Sequence, residues 1–232
     1  MTLLKKWYSS LIVYIKCKDW SRMSPKNMDR TLIRWPFMAL IHPFEAANDV
    51  KYEKKGSLLI ANVFMLILFL EQVLDFTSTG YLFNYNKFED FNPFLLFFQS
   101  VFLVALWCVS NWLMCSITGG EGRFSEIWII SWYAVLPRIL LSPIAIFLSS
   151  LLTLQEGAFV MAVNGIAMGW FFLLLFFGML TVHQYTLKKA IIALLLTLFC
   201  MAMICFICVL FFSFFQQMLM FFQSVFKELA AR

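Results

Sequence analysis

An all-α, polytopic transmembrane helix bundle of about five spans is the fold this sequence predicts. Three observations predict it: an apolar excess too large for a soluble chain, apolar runs of spanning length, and no two-residue alternation within them. Of 232 residues, 62% are apolar and 13% are charged, whereas an ordinary soluble domain carries about 25% charged residues. Twenty-eight residues are Phe, so the excess is bulky. A chain this short has too little interior to hide it, and lipid is the solvent for the remainder.

Gly56 to Phe76, Phe94 to Ile117, Ile127 to Leu154, Val160 to Val182 and Ala190 to Phe215 are nearly unbroken apolar runs. Each reaches the length of about twenty residues that crosses a hydrocarbon core as a helix. Backbone groups in lipid must be satisfied within the spanning structure, and without strand alternation only helices achieve this. The chain divides into a basic amphipathic region at 1–55, a five-span domain at 56–215, and a C-terminal helix at 216–232.

The first 55 residues hold eleven Lys or Arg against five acids, a surplus of six that exceeds the +5 of the whole chain. Such charge beside a first span marks the cytoplasmic side. Leu4, Trp7, Tyr8, Leu11 and Ile15 recur at helical spacing beside Lys5, Lys6, Lys16 and Lys18. They predict an interfacial helix resting on anionic lipid. Pro25 falls at an expected break, Arg30 to Ile41 forms a second amphipathic piece, and Pro43 suits the first turn of a further short helix. Lys51, Lys54 and Lys55 close the cytoplasmic face. Lys5-Lys6 is followed by too short an apolar run for a cleavable signal.

The connections fit this orientation. Tyr81 to Asn92 carries Lys87 against Glu89 and Asp90, Gln155 to Gly157 carries only Glu156, and Lys188-Lys189 lies between the fourth and fifth spans. A multi-pass protein of the cell membrane is expected, with its N-terminus cytoplasmic and its C-terminus external. From Ala190 to Phe226 the sequence stays nearly uncharged for longer than one span needs. Gln216, Gln217 and Gln223 in its second half predict one span followed by an external or interfacial helix.

Ionisable residues inside spans are candidates for function. Glu71 and Asp75 share a helix face by their four-residue spacing, and Arg138 lies inside the third span beside Pro137. At about 1.5 Å per residue, Glu71 and Arg138 fall roughly 20 and 18 Å beyond the inner boundary. Asn164 on the fourth span comes to a similar level. The cost of a lone charge in lipid predicts a cluster of Glu71, Arg138 and Asn164 with Asp75 above it. A structural ion pair and a proton or ion path are both consistent with that cluster. Pro137 and Pro143 are expected to kink the third span.

Other residues carry little chemistry. Five of six Cys (Cys108, Cys115, Cys200, Cys205, Cys208) fall in spans and Cys17 in the basic segment, so free thiols are expected. Cys and Met near Cys200 to Cys208 read as polarizable filler rather than copper ligands. His42 and His183 stand alone in the sequence and read as interfacial packing. Gly119 to Arg123 lacks the Lys-Ser/Thr ending of a phosphate loop and reads as a tight turn. With no nucleophile–base pairing, an enzyme is not expected, nor a cofactor, a metal or a nucleic-acid partner.

Two stretches carry a resemblance. Ile41-His42-Pro43-Phe44-Glu45, continuing from Val50 through Lys51 to Ser57, resembles the approach to the first span in bacterial members of the Yip domain family. Gly120-Glu121-Gly122-Arg123-Phe124-Ser125-Glu126-Ile127-Trp128, followed by Tyr133 to Pro137, resembles that family's loop and third-span start. The resemblance runs from about Arg34 to Phe215, and Arg138 departs from the apolar or aromatic residue it would place there. It implies a five-span, non-catalytic protein with a cytoplasmic N-terminus. Eukaryotic members are adaptors that bind small GTPases and shape transport membranes; some bacterial members accompany carbohydrate ABC transporters.

The resulting expectation is an accessory membrane subunit or scaffold, in contact with lipid and with other integral subunits such as an ABC permease. A small transporter or channel with a polar path near Glu71 and Arg138 is the alternative. A membrane-shaping role for the N-terminal helix is a third.

Overall fold

The computed structural model describes residues 37–52, 56–84, 86, 89 and 91–230. The amphipathic helices expected before residue 37, with Lys5, Lys6, Lys16 and Lys18, lie outside these residues, as do Lys54 and Lys55. Seven α-helices follow the helical stretch at 37–41: α1 Pro43–Lys51, α2 Leu58–Ser78, α3 Pro93–Thr118, α4 Phe124–Ala134, α5 Leu136–Leu151, α6 Gly157–Val182 and α7 Leu187–Ala230. Among the described residues there is no strand. Among the described residues five helical segments are long and apolar enough to cross a membrane: Leu58–Ser78, Pro93–Thr118, Phe124–Leu151, Leu154–Val182 and Leu187–Glu228.

Local chemistry sets the helix ends. Pro43 starts α1, whose Ala46, Ala47 and Val50 are buried where they pack beside Ile130 and Leu174. Asn92 caps α3, its Oδ1 accepting from the N–H of Phe94 (3.0 Å) and Leu95 (3.3 Å), with Pro93 at a position where no donor is needed. Gly119 ends α3 at φ 62°, a left-handed geometry that glycine adopts without a Cβ clash. Pro137 has no N–H for the Tyr133 carbonyl, and the third span breaks two residues before it, at Val135, into α4 and α5. Pro143 is held within α5.

The core lies where α2, α3, α4 and α6 converge. Ala61, Cys108 and Trp132 are wholly buried there, and Trp107, Tyr133 and Leu174 pack around them. Phe64 meets the Tyr133 ring edge-on at 5.7 Å. Helix α7 packs chiefly on α3 through Ala190, Ala193, Thr197 and Cys200, a stripe spaced three and four residues apart. The stripe stops at Cys200. The tail from residue 216 is helical, and it continues the fifth span without a break.

Candidate functional site

Two polar regions are built into this bundle. One lies at the end where α1, the α3–α4 connection and the end of α6 meet. Gly120 and Gly122 lie against His183: a Cβ on Gly122 would fall 2.6 Å from Val182 Cγ1 and 2.7 Å from His183 Cε1, and one on Gly120 2.6 Å from His183 Nδ1. The Gly122 N–H donates to His183 Nδ1 (3.3 Å), so the ring proton sits on Nε2 and is donated to Asn111 Oδ1 (2.8 Å). Tyr185 stacks on His183 with centroids 5.1 Å apart, and its hydroxyl bonds Thr118. Lys189 Nζ lies 5.0 Å from the Tyr185 ring centroid, within cation–π range.

Lys51 fastens the same loop from α1. Its Nζ pairs with Glu121 at 3.1 Å and donates to the Val182 carbonyl at 2.9 Å. Cys115 Sγ donates to the Gly120 carbonyl at 3.0 Å. Burial, and after it the Lys51 charge, pushes the His183 imidazole down to about 4; burial raises the Tyr185 phenol. His183 is therefore a neutral, fully hydrogen-bonded core residue. This corrects the expectation of a solitary interfacial histidine: its partners are simply distant in sequence. His42 is exposed at the N-terminal end of α1, and the Phe44 ring meets Phe177 at a 49° tilt with centroids 4.8 Å apart. Tyr133 and Pro137 are buried, and the Tyr133 hydroxyl accepts from the Ser57 N–H at 3.4 Å.

The second region lies inside the bundle. Glu71 is 4% exposed. Its Oε2 stands 3.6 Å from Arg138 Nε, and its other oxygen accepts from the Ser142 hydroxyl. The break at Val135 places Arg138 in the first turn of α5, and Ser142 lies one turn further on. The terminal guanidinium nitrogens of Arg138 meet no acceptor among the described residues. Asn164 does not join: it is exposed on α6 and bonds neither charge. A matching depth fixes a residue's level but not the direction in which it faces, and Asn164 faces outward. Asp75 is exposed, held by the Thr79 hydroxyl at 3.1 Å.

Arg138 and Asp75 line a cavity of about 750 Å³. Its walls come from α2, α3, α6 and α7, and include Gln72 and Gln99 besides Leu and Phe side chains. Sequence inspection missed Ser142, His183 with its partners, and this cavity; the one visible signal was polar Gln72 and Gln99 within otherwise apolar runs. Among the described residues no three of His, Cys, Asp and Glu group as metal ligands.

The Yip1 domain pattern matches residues 37–225. The chain belongs to the Yip1 domain family. Its members are in general membrane-associated, non-enzymatic proteins. The match begins at the helical stretch before α1 and ends within α7, so both polar regions are parts of the Yip1 domain. No curated protein and no solved structure matches the chain.

Proposed function

We propose that this Yip1 domain protein is a non-catalytic accessory or scaffold subunit that binds other integral membrane proteins through α7. One observation carries this reading. From Phe206 to Glu228, every α7 residue whose side chain is described is exposed, with Phe at 206, 211, 212, 214, 215, 221, 222 and 226. The 44 residues of α7 extend about 66 Å at about 1.5 Å per residue, roughly twice a hydrocarbon core of about 30 Å. A helix apolar on all sides is stable when buried in protein or lipid, and its length beyond one bilayer needs a protein cover. Gln216, Gln217 and Gln223 supply the polar contacts that join helices in membranes.

The basic N-terminal region would face the cytosol and the end of α7 the exterior of a cell membrane, on the charge distribution of the sequence. The permease of a carbohydrate ABC importer is the partner to try first, supported by the resemblance to bacterial relatives. Co-purification in mild detergent tests the reading. The full chain should carry a stoichiometric membrane partner, and a chain ending after Ile207 should release it while the bundle stays folded. Isolation of the full chain as a lone monomer would refute it.

The cavity, lined by Arg138 beside Glu71, favours a second reading, a small transporter or channel with a polar path near Glu71 and Arg138. Flux in proteoliposomes that disappears on Glu71→Gln would raise it above the first.

A further inference from the structure

We infer that the intrabundle cavity is a binding site for one zwitterionic phospholipid or lysophospholipid, with its phosphate on Arg138, its amine on Asp75 and one acyl chain against the lower walls. The volume, about 750 Å³, lies within the roughly 300–1,000 Å³ of sites that enclose a single small ligand.

The lining is graded along the bundle axis. Asp75, Asn86 and Asn92 stand at the α2–α3 connection. Gln72 on α2 and Gln99 on α3 each lie six residues inside their helix ends, about 9 Å down at about 1.5 Å per residue. Below them the surface turns apolar through Leu68, Leu103 and Val104 to Trp107, roughly 12 Å deeper than Gln99. Leu198 and Met201 of α7 form the facing wall. A polar band above a long apolar slot matches an amphiphile and not a wholly polar solute.

The charges specify the head group. Arg138 gives only Nε to Glu71, at 3.6 Å, so among the described residues its terminal nitrogens are left to take phosphate oxygens in the paired geometry guanidinium favours. Leaving them without an acceptor at membrane depth is costly. Asp75 lies four residues beyond Glu71, about 6 Å further along α2, with one carboxylate oxygen on Thr79 and the other available. A purely anionic head group would meet repulsion from Asp75; a phosphate followed by an ammonium two methylenes away satisfies both.

The full chain, equilibrated in vesicles of equal phosphatidylethanolamine and phosphatidylglycerol and released into mild detergent, should hold one ethanolamine lipid per chain by native mass spectrometry. Its mass tells a two-chain lipid from a lysolipid. Leu198→Trp and Met201→Trp fill the slot from α7 without touching the ion pair, and each should lower occupancy at least tenfold. If size exclusion shows one of them misfolded, the other is read. Asp75→Asn should reduce the preference for ethanolamine over glycerol lipid at least fivefold. A wild-type chain without retained lipid, or retention unchanged in a folded Trp variant, overturns the site. An unchanged preference in Asp75→Asn overturns the head-group assignment.

Discussion

The loop end and the bundle interior solve the same problem in opposite ways. Around His183 each polar group finds a protein partner: Nδ1 takes the Gly122 N–H, Nε2 reaches Asn111, and the Lys51 ammonium is shared between Glu121 and a carbonyl. Around Arg138 the account is incomplete. Glu71 is held by Ser142 and faces one guanidinium nitrogen, while the rest of the guanidinium and the Gln72 and Gln99 amides border open space. Glu71 Oε2 is itself buried with no hydrogen-bond partner among the described residues, whereas buried polar groups are normally all bonded. The first region therefore reads as a clasp that fixes the fold and the second as a place where something else binds. Their chemistry is similar; the difference is whether the chain itself completes it.

The largest effect that would test this contrast is at the ion pair. Arg138→Leu leaves the Glu71 carboxylate buried without its cation, and removing one partner of a buried pair costs about 3–5 kcal/mol. Unfolding in mixed micelles should show that loss, and Glu71→Gln combined with Arg138→Leu should recover most of it. An unchanged midpoint in the single variant would mean that the pair does not hold the bundle together.

Acid should open the clasp next. The folded-state value of His183, about 4, lies below its ordinary 6.5. Its contribution is therefore fully present above about pH 6.5 and is lost as pH falls toward 4. The gap between the two values corresponds to roughly 3 kcal/mol. His183→Asn should flatten the fall in unfolding midpoint between pH 7.5 and 4.5; an equally steep profile in that variant would assign the titration to another group. Gly122→Val tests the same clasp sterically. Its side chain would enter space held by Val182 and the imidazole, at a cost of about 2–3 kcal/mol by overpacking. A stability matching the wild type would show that the loop shifts freely off His183.

The spans were legible because hydropathy sums over some twenty residues, so single polar residues such as Gln72 do not mask it. The break in the third span was legible from Pro137, whose missing N–H is a local property. Helix rise put Glu71 and Arg138 at one level, and the cost of a lone charge in lipid is what turned them toward each other. The clasp was hidden because His183 lies 61 residues from Gly122 and 72 from Asn111, separations that no periodicity relates. The unbroken α7 was hidden for another reason. Glutamine is costly in lipid but a good helix former, so Gln216, Gln217 and Gln223 mark a change of surroundings without interrupting the backbone.

Asn164 gives the smallest effect and the sharpest control. It sits in a span at a depth similar to Glu71, yet it is exposed on α6 and touches neither the clasp nor the ion pair. Depth alone would place it with Glu71; facing direction removes it. Asn164→Leu should therefore change stability by less than about 0.5 kcal/mol, as substitutions away from packed or bonded features do, and should leave lipid occupancy of the cavity as in the wild type. A loss on the scale of Arg138→Leu would mean that α6 can rotate Asn164 inward, and that the incomplete polar group at Arg138 is completed by the chain after all.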